Sequence, residues 1–224
     1  MATLSAREAA FQKLHDRIIT MELKPGDSLN DRLLAEEMGI SRTPVREALI
    51  MLNIAHMVSI KPQSGTHVAP IDLKGMELEQ FARYTLEKEM MLRACVQMRP
   101  EHLAAYRENI EKYRVCEQTM TGAERNYRLL ELDNRFHRKA FEINGMEEHF
   151  DHMLSTFHHI ERLRMFSLMI DENKSVCEEH TRIVEALVAQ DTAGVARALE
   201  AHLQRYKASV AQARQTNPDY FVEG

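Results

Sequence analysis

NDRLLAEEMGISRTPVREALIML, residues 30–52, is the stretch on which the reading of the whole chain turns. It predicts two short helices joined by a tight turn. Leu33, Leu34 and Met38 make the apolar side of the first, and Gly39 stands where a helix end takes a left-handed residue. Ser41 is placed to accept from the first free N–H groups of the second helix, and Pro44 falls in that first turn, where no intrahelical donor is lost. Val45, Ala48, Leu49 and Leu52 then recur at helical spacing and form one buried stripe. Arg42 and Arg46 lie off that stripe near the helix start, beside the hydroxyls of Ser41 and Thr43. A helix that buries one side and turns guanidinium groups and hydroxyls outward from its N-terminus is built to enter a DNA groove. An ordinary helical hairpin with solvated arginines has the same spacing.

The residues just C-terminal to the helix pair separate these alternatives. Met57–Lys61 and Thr66–Ala69 are β-prone runs on either side of Pro62-Gln63-Ser64-Gly65, a turn by its residues. A two-stranded ribbon directly after such a helix pair is a wing. From Leu23-Lys24-Pro25-Gly26-Asp27 through Ser41–Leu49 to Ser64-Gly65-Thr66-His67-Val68, residues 23–69 resemble the winged helix-turn-helix of the GntR family of bacterial regulators. The resemblance implies DNA contacts from Arg32, Arg42 and Arg46, with Arg42 or Arg46 expected to read a guanine and Ser41, Thr43 and Gly65 assisting at the backbone. It also implies a homodimer on a palindromic double-stranded operator.

The totals agree with a largely helical protein of one large or two small domains: 224 residues, only 8 Gly and 6 Pro, no Trp. No apolar run approaches the ~20 residues that span a membrane, and the first residues lack the apolar core of a signal peptide. Cys95, Cys116 and Cys177 show no close pairing, which predicts free thiols in a reducing cytoplasm. The net charge of −5 is set by residues 71–224, because residues 1–70 hold 8 basic and 8 acidic side chains. Neither part is a general polyanion binder, so DNA affinity must come from a few placed arginines and from dimer symmetry.

The expected architecture is mainly α: a winged helix-turn-helix over residues 1–70, an all-helical bundle over 71–214 and a frayed tail at 215–224. An opening helix from Ser5 to about Met21 offers Ala9, Leu14, Ile18 and Met21 to the core. Pro70-Ile71-Asp72 reads as a short hinge, with Asp72 able to cap the next helix. Beyond it the pattern predicts about six helices, at 72–98, 100–119, 122–144, 146–169, 172–190 and 192–214, with breaks at Pro100, Thr121-Gly122, Asn144-Gly145, Asp171 and Asp191-Thr192.

Three of these helices place polar groups on their apolar stripes. Asp133 and His137 share the stripe Leu129, Leu132, Phe136, Ala140; His180 lies with Val176, Ile183, Val184 and Leu187; His202 lies with Val195, Leu199, Leu203, Tyr206 and Val210. Any one such histidine reads as a hydrogen-bonded core residue. Four unpartnered groups together are costly to bury, and one divalent cation resolves them all. Three imidazoles and a carboxylate suit zinc first, with nickel, manganese or iron also possible, rather than calcium or magnesium.

Residues about 76–210 resemble the all-helical FCD effector domain of the FadR branch of the GntR family. Its metal-binding version has Asp-x3-His on one helix and two later histidines, and Asp133, His137, His180 and His202 fill all four positions. The resemblance implies a small carboxylic acid bound near the metal, with Arg83 and Glu87 facing the cavity; repression relieved by the ligand is the default expectation, with activation as the alternative. Physically, a guanidinium beside a metal with open positions traps a carboxylate. Arg83 and Glu87 also stand at the spacing of a surface ion pair. His152, His158 and His159 are expected to be mainly solvated, with at most one facing the core. A mononuclear metal enzyme and a regulator with a purely structural metal are the other readings of the same residues.

Overall fold

A computed structural model describes residues 4–170 and 176–223. Helix α1 (Ala6–Ile19) is started by a capping box in which Ser5 and Glu8 exchange side-chain and backbone hydrogen bonds. It buries Ala10, Leu14 and Ile18, so the packed face is set one residue away from the predicted Ala9. Helix α2 (Asp31–Met38) is capped by the Asn30 side chain and ends on Gly39, whose φ of 67° is the left-handed turn the next helix needs. Its inward side is Leu34 and Ala35, whereas Leu33 is exposed. Helix α3 (Arg42–Ile54) buries Val45, Ala48, Leu49 and Leu52. Ser41 is its cap residue by backbone conformation but makes no side-chain cap hydrogen bond. That hydroxyl is left to solvent rather than to the helix. Strands β1 (Val58–Lys61) and β2 (Gly65–Val68) pair antiparallel, Val58 opposite Val68 and Lys61 opposite Gly65.

Pro70–Asp72 is not a loose hinge. Ile71 and Asp72 form strand β3, which pairs in parallel with strand β4 (Phe221–Val222) from the predicted frayed tail. The tail orders because Phe221 is buried, with its ring edge-on to Phe166. Asp72 then caps helix α4 (Leu73–Val96) by accepting from the Lys74 amide.

Helices α5 (Pro100–Thr119) and α6 (Gly122–Ile143) lie close to the predicted limits. The span 146–169 divides into α7 (Glu147–Leu154) and α8 (His158–Ile170), where the Ser155 and Thr156 hydroxyls both bond back to the His152 carbonyl. The final span divides into α10 (Thr192–Leu203) and α11 (Tyr206–Thr216), with α9 (Val176–Val188) before them. The break expected at Asp171 and the first residues of the predicted helix at 172–190 lie outside the described residues. No helix is long and apolar enough to cross a membrane among the described residues. All three cysteines are free and buried.

The apolar residues form two cores. One unites α1, α2, α3 and the wing with Met76, Ile160, Leu163, Phe166 and Phe221. The other fills the bundle, with Tyr106, Phe136, Phe141, Phe150 and Leu199 among its members. At the seam, His158 is buried edge-on to His15, and His159 is half-buried against the Asp72 amide. At most one of His152, His158 and His159 is expected to face the core, yet His158 and His159 both sit between the DNA-reading part and the bundle.

Burial, followed by the charges of His15, His159 and Arg162, pushes His158 down to about 4. Its folded value is below the unfolded one near 6.5, so its stabilising contribution is complete above that pH and is lost as pH falls toward 4. Urea unfolding of wild type should weaken over this window by on the order of 2–3 kcal/mol from this residue. His158→Leu should flatten that part of the profile, and an unchanged pH slope would remove His158 as its source.

Candidate metal centre

Helix α6 carries Asp133 and His137 one turn apart, α9 carries His180, and the last turn of α10 carries His202. The faces that pack are the faces that carry these groups: Leu132 and Phe136 on α6, Ile183 and Leu187 on α9, Val195 and Leu199 on α10 are all buried. One donor atom from each of the four residues lies within 4.8 Å of the others. Asp133 Oδ1 is 3.1 Å from His180 Nε2, 3.8 Å from His137 Nε2 and 4.0 Å from His202 Nε2. His137 Nε2 and His202 Nε2 face each other at 3.1 Å. Donors held ~2.1 Å from one ion stand ~3.0 Å apart at right angles and ~4.2 Å apart when opposite, and these spacings fall between the two.

The protonation states suit a cation. Burial pushes His180 down to about 4 and lowers His137 and His202, outweighing the carboxylates beside them. Near pH 7 all three imidazoles are neutral, the form with a lone pair to donate. Burial works against the charge of Asp133, but the Arg164 guanidinium paired with it holds its carboxyl well below the usual range. Among the described residues, neither ring nitrogen of His180 nor Asp133 Oδ1 makes a hydrogen bond. Their 3.1 Å approach is off the N–H direction, so neither atom satisfies the other. Such buried orphans fit a divalent ion.

Behind the donors stand carboxylates of the kind that orient metal-binding imidazoles. His202 Nδ1 donates to Glu179 Oε2 at 2.8 Å. His137 Nδ1 lies 2.7 Å from Glu87 Oε2, off the ideal axis. Glu87 Oε1 also accepts from Arg83 Nε at 2.6 Å, so the Arg83–Glu87 pair forms in the core and not on the surface.

A cavity of about 100 Å³ adjoins the cluster. Arg83, Asp133 and His202 line it, and so do Arg164 and Ser167 of α8 and Tyr206 and Ser209 of α11. Glu87 is not in its wall; it backs His137 instead. Residue spacing did not point to Arg164. Its guanidinium pairs with Asp133 and with Glu161 on its own helix. The signal that marks it is a charged pair three residues apart in a helix whose neighbours Ile160, Leu163, Met165 and Phe166 are all buried.

At the other end of the molecule Arg32, Ser41, Arg42, Thr43, Arg46 and Gly65 are all exposed. Arg42 and Arg46 converge on one carboxylate, since Arg42 Nη2 lies 2.9 Å from Asp31 Oδ1 and Arg46 Nε pairs with Asp31 Oδ2. Asp31 is a second feature that the sequence pattern did not reveal.

The model of the bacterial regulatory proteins of the gntR family matches residues 6–68, and the FCD domain model matches residues 80–205. The chain belongs to the GntR family. A GntR helix-turn-helix joined to an FCD domain makes it a DNA-binding transcriptional regulator. It is similar over 222 residues, at 26% identity, to the HTH-type transcriptional repressor RspR of Escherichia coli (strain K12), covering 99% of this chain and 96% of that protein. The Exu regulon transcriptional regulator of the same strain is 26% identical over 195 residues, 81% of this chain and 75% of that protein. Among solved structures, E. coli McbR/YncC superposes with a TM-score of 0.75 at 22% identity, over 94% of this chain and 99% of that chain, a likeness of fold. These GntR-family relatives are regulators, which sets aside the reading of the cluster as a metal enzyme.

Proposed function

We propose that this regulator senses a small organic acid through a divalent metal, zinc by preference, held by Asp133, His137, His180 and His202. The observation that carries the reading is the convergence of four orphaned or loosely paired donors beside a cavity lined with arginine. When bound, the ion supplies a Lewis acid for a carboxylate oxygen. Arg83 and Arg164 orient the acid with their guanidinium forks, and Ser167, Tyr206 and Ser209 offer hydroxyls to its polar substituents. Glu87 and Glu179 fix the two imidazoles they back.

Residues 1–70 then read DNA and residues 71–214 sense. Arg32, Arg42 and Arg46 contact base edges, and Ser41, Thr43 and Gly65 approach phosphate. A homodimer presents two such surfaces to successive major grooves of a palindromic operator. Support for the dimer comes from the outer side of α4, where Leu78 and Phe81 are 65% and 70% exposed and Leu86 is exposed further along the helix. Apolar groups that open to water on one helix mark an association surface. Repression is the expected sense, in line with the naming of RspR as a repressor.

A thermal-shift screen tests the sensing half directly. Zinc alone should raise the melting temperature, and one class among hydroxy, keto and dicarboxylic acids should raise it further only with zinc present. A ligand at about a hundred times its Kd adds ~2.7 kcal/mol to native stability, a shift of a few degrees in a protein of this size. Equal stabilisation by the acid in zinc and in chelator would break the link between metal and ligand. If metal alone shifts the transition and no acid adds to it, the structural-metal reading wins.

A further inference from the structure

The linker between the wing and α4 is held from two sides by helices that also line the cavity. From α8, Arg162 Nη2 donates to the Ala69 carbonyl at 2.7 Å, and His159 Nδ1 accepts from the Asp72 amide at 3.3 Å. From beyond α11, β4 lays Phe221 and Val222 alongside Ile71 and Asp72. Tyr220 and Phe221 both pack edge-on to Phe166, at ring separations of 6.0 and 6.3 Å. Arg214 of α11 also pairs with Glu223, just past the strand, at 2.6 Å on the surface. On their cavity side the same two helices are joined by a 2.9 Å hydrogen bond between Ser167 and Ser209. Ile71 is fully buried under this arrangement, and the Ala69 amide donates to the Met57 carbonyl at the foot of the wing.

We propose that residues 218–222 are a strap that closes over the linker and ties the orientation of the DNA-reading part to helices α8 and α11. A two-residue parallel pairing is too short to hold by backbone bonds alone. Its grip comes from the aromatic contacts with Phe166, so a shift of α8 against α11 moves the strap and the linker together. That the cavity receives the effector rests on the function proposed for the metal centre. The strap itself does not, and its test needs no ligand.

Amide hydrogen exchange would be compared in the full chain, in a variant ending at Asn217 and in Phe221→Ala. Peptides over residues 69–73 report the linker, and peptides from α6 and α10 report the bundle. The expected result is roughly tenfold or more faster exchange at the linker in both variants, with the bundle unchanged. Ser209→Leu, on the cavity side, should alter linker exchange in the full chain and have no further effect in the shortened one, the non-additivity expected of coupled sites. Linker protection unchanged in both variants, or lost in both only together with the bundle, overturns the strap. A Ser209→Leu effect that is absent, or equal with and without residues 218–224, overturns its link to the cavity wall. Failure of every acid in the thermal screen would leave these outcomes as they stand.

Discussion

His180→Gln is expected to weaken zinc binding by about a hundredfold or more, read by competition with a chromophoric chelator. The residue is fully buried and its ring lies flat against Phe136, 3.7 Å between centroids. An alanine would leave a hole in the bundle core as well as a missing donor. Glutamine keeps most of the volume, so loss of metal can be separated from loss of fold by the apo-protein melting temperature. Glu179→Gln should cost less, ~10–100-fold, since it only orients His202. Arg164→Met is expected to behave differently again. It should leave the bundle folded, weaken the acid more than the metal and raise the pH at which Asp133 accepts a proton. Wild-type zinc affinity in His180→Gln would refute the centre.

The second large effect is expected at the DNA end. Arg46→Ala and Arg42→Ala should each lower affinity for an operator selected in vitro by ~5–150-fold, the range for losing one bidentate contact to a guanine. If a given arginine meets phosphate instead, its loss will weaken all sequences alike and reduce the salt slope. Asp31 sharpens the test. Both guanidinium groups rest on its carboxylate, and their hydrogen bonds hold Asp31 below the ordinary carboxyl range. Asp31→Asn is expected to raise affinity for random duplex while narrowing the gap between operator and random sequence. The carboxylate that repels phosphate and poses the two arginines would then be gone. Wild-type operator binding by both arginine variants would remove α3 as the reading helix.

Periodicity made the helices with one apolar face legible, and with them the inward side of α3, α6, α9 and α10. It revealed Asp133, His137, His180 and His202 because each sits where a hydrophobic residue was due. It could not single out Arg164 and Glu161, because α8 is buried nearly all round and has no one apolar stripe for them to interrupt. The breaks inside 146–169 and 192–214 were hidden for a related reason. No Gly or Pro marks them, and the first depends on Ser155 and Thr156 hydroxyls bonding backward. Strand β4 escaped because two residues carry no period at all. Its order comes from Phe166, which lies far away in sequence.

The core that runs from α1, α2 and α3 into α8 and Phe221 has a consequence for anyone rearranging such regulators. A cut at residue 70 looks clean in sequence, but it passes through side chains packed on both sides. A chimaera that keeps residues 1–70 and borrows its sensor from another member would uncover the face of α1 that meets α8, where His15 lies edge-on to His158, unless the seam-facing residues of α8 travelled with it. Promoter choice and metabolite choice can drift independently in this architecture only as far as that shared seam allows.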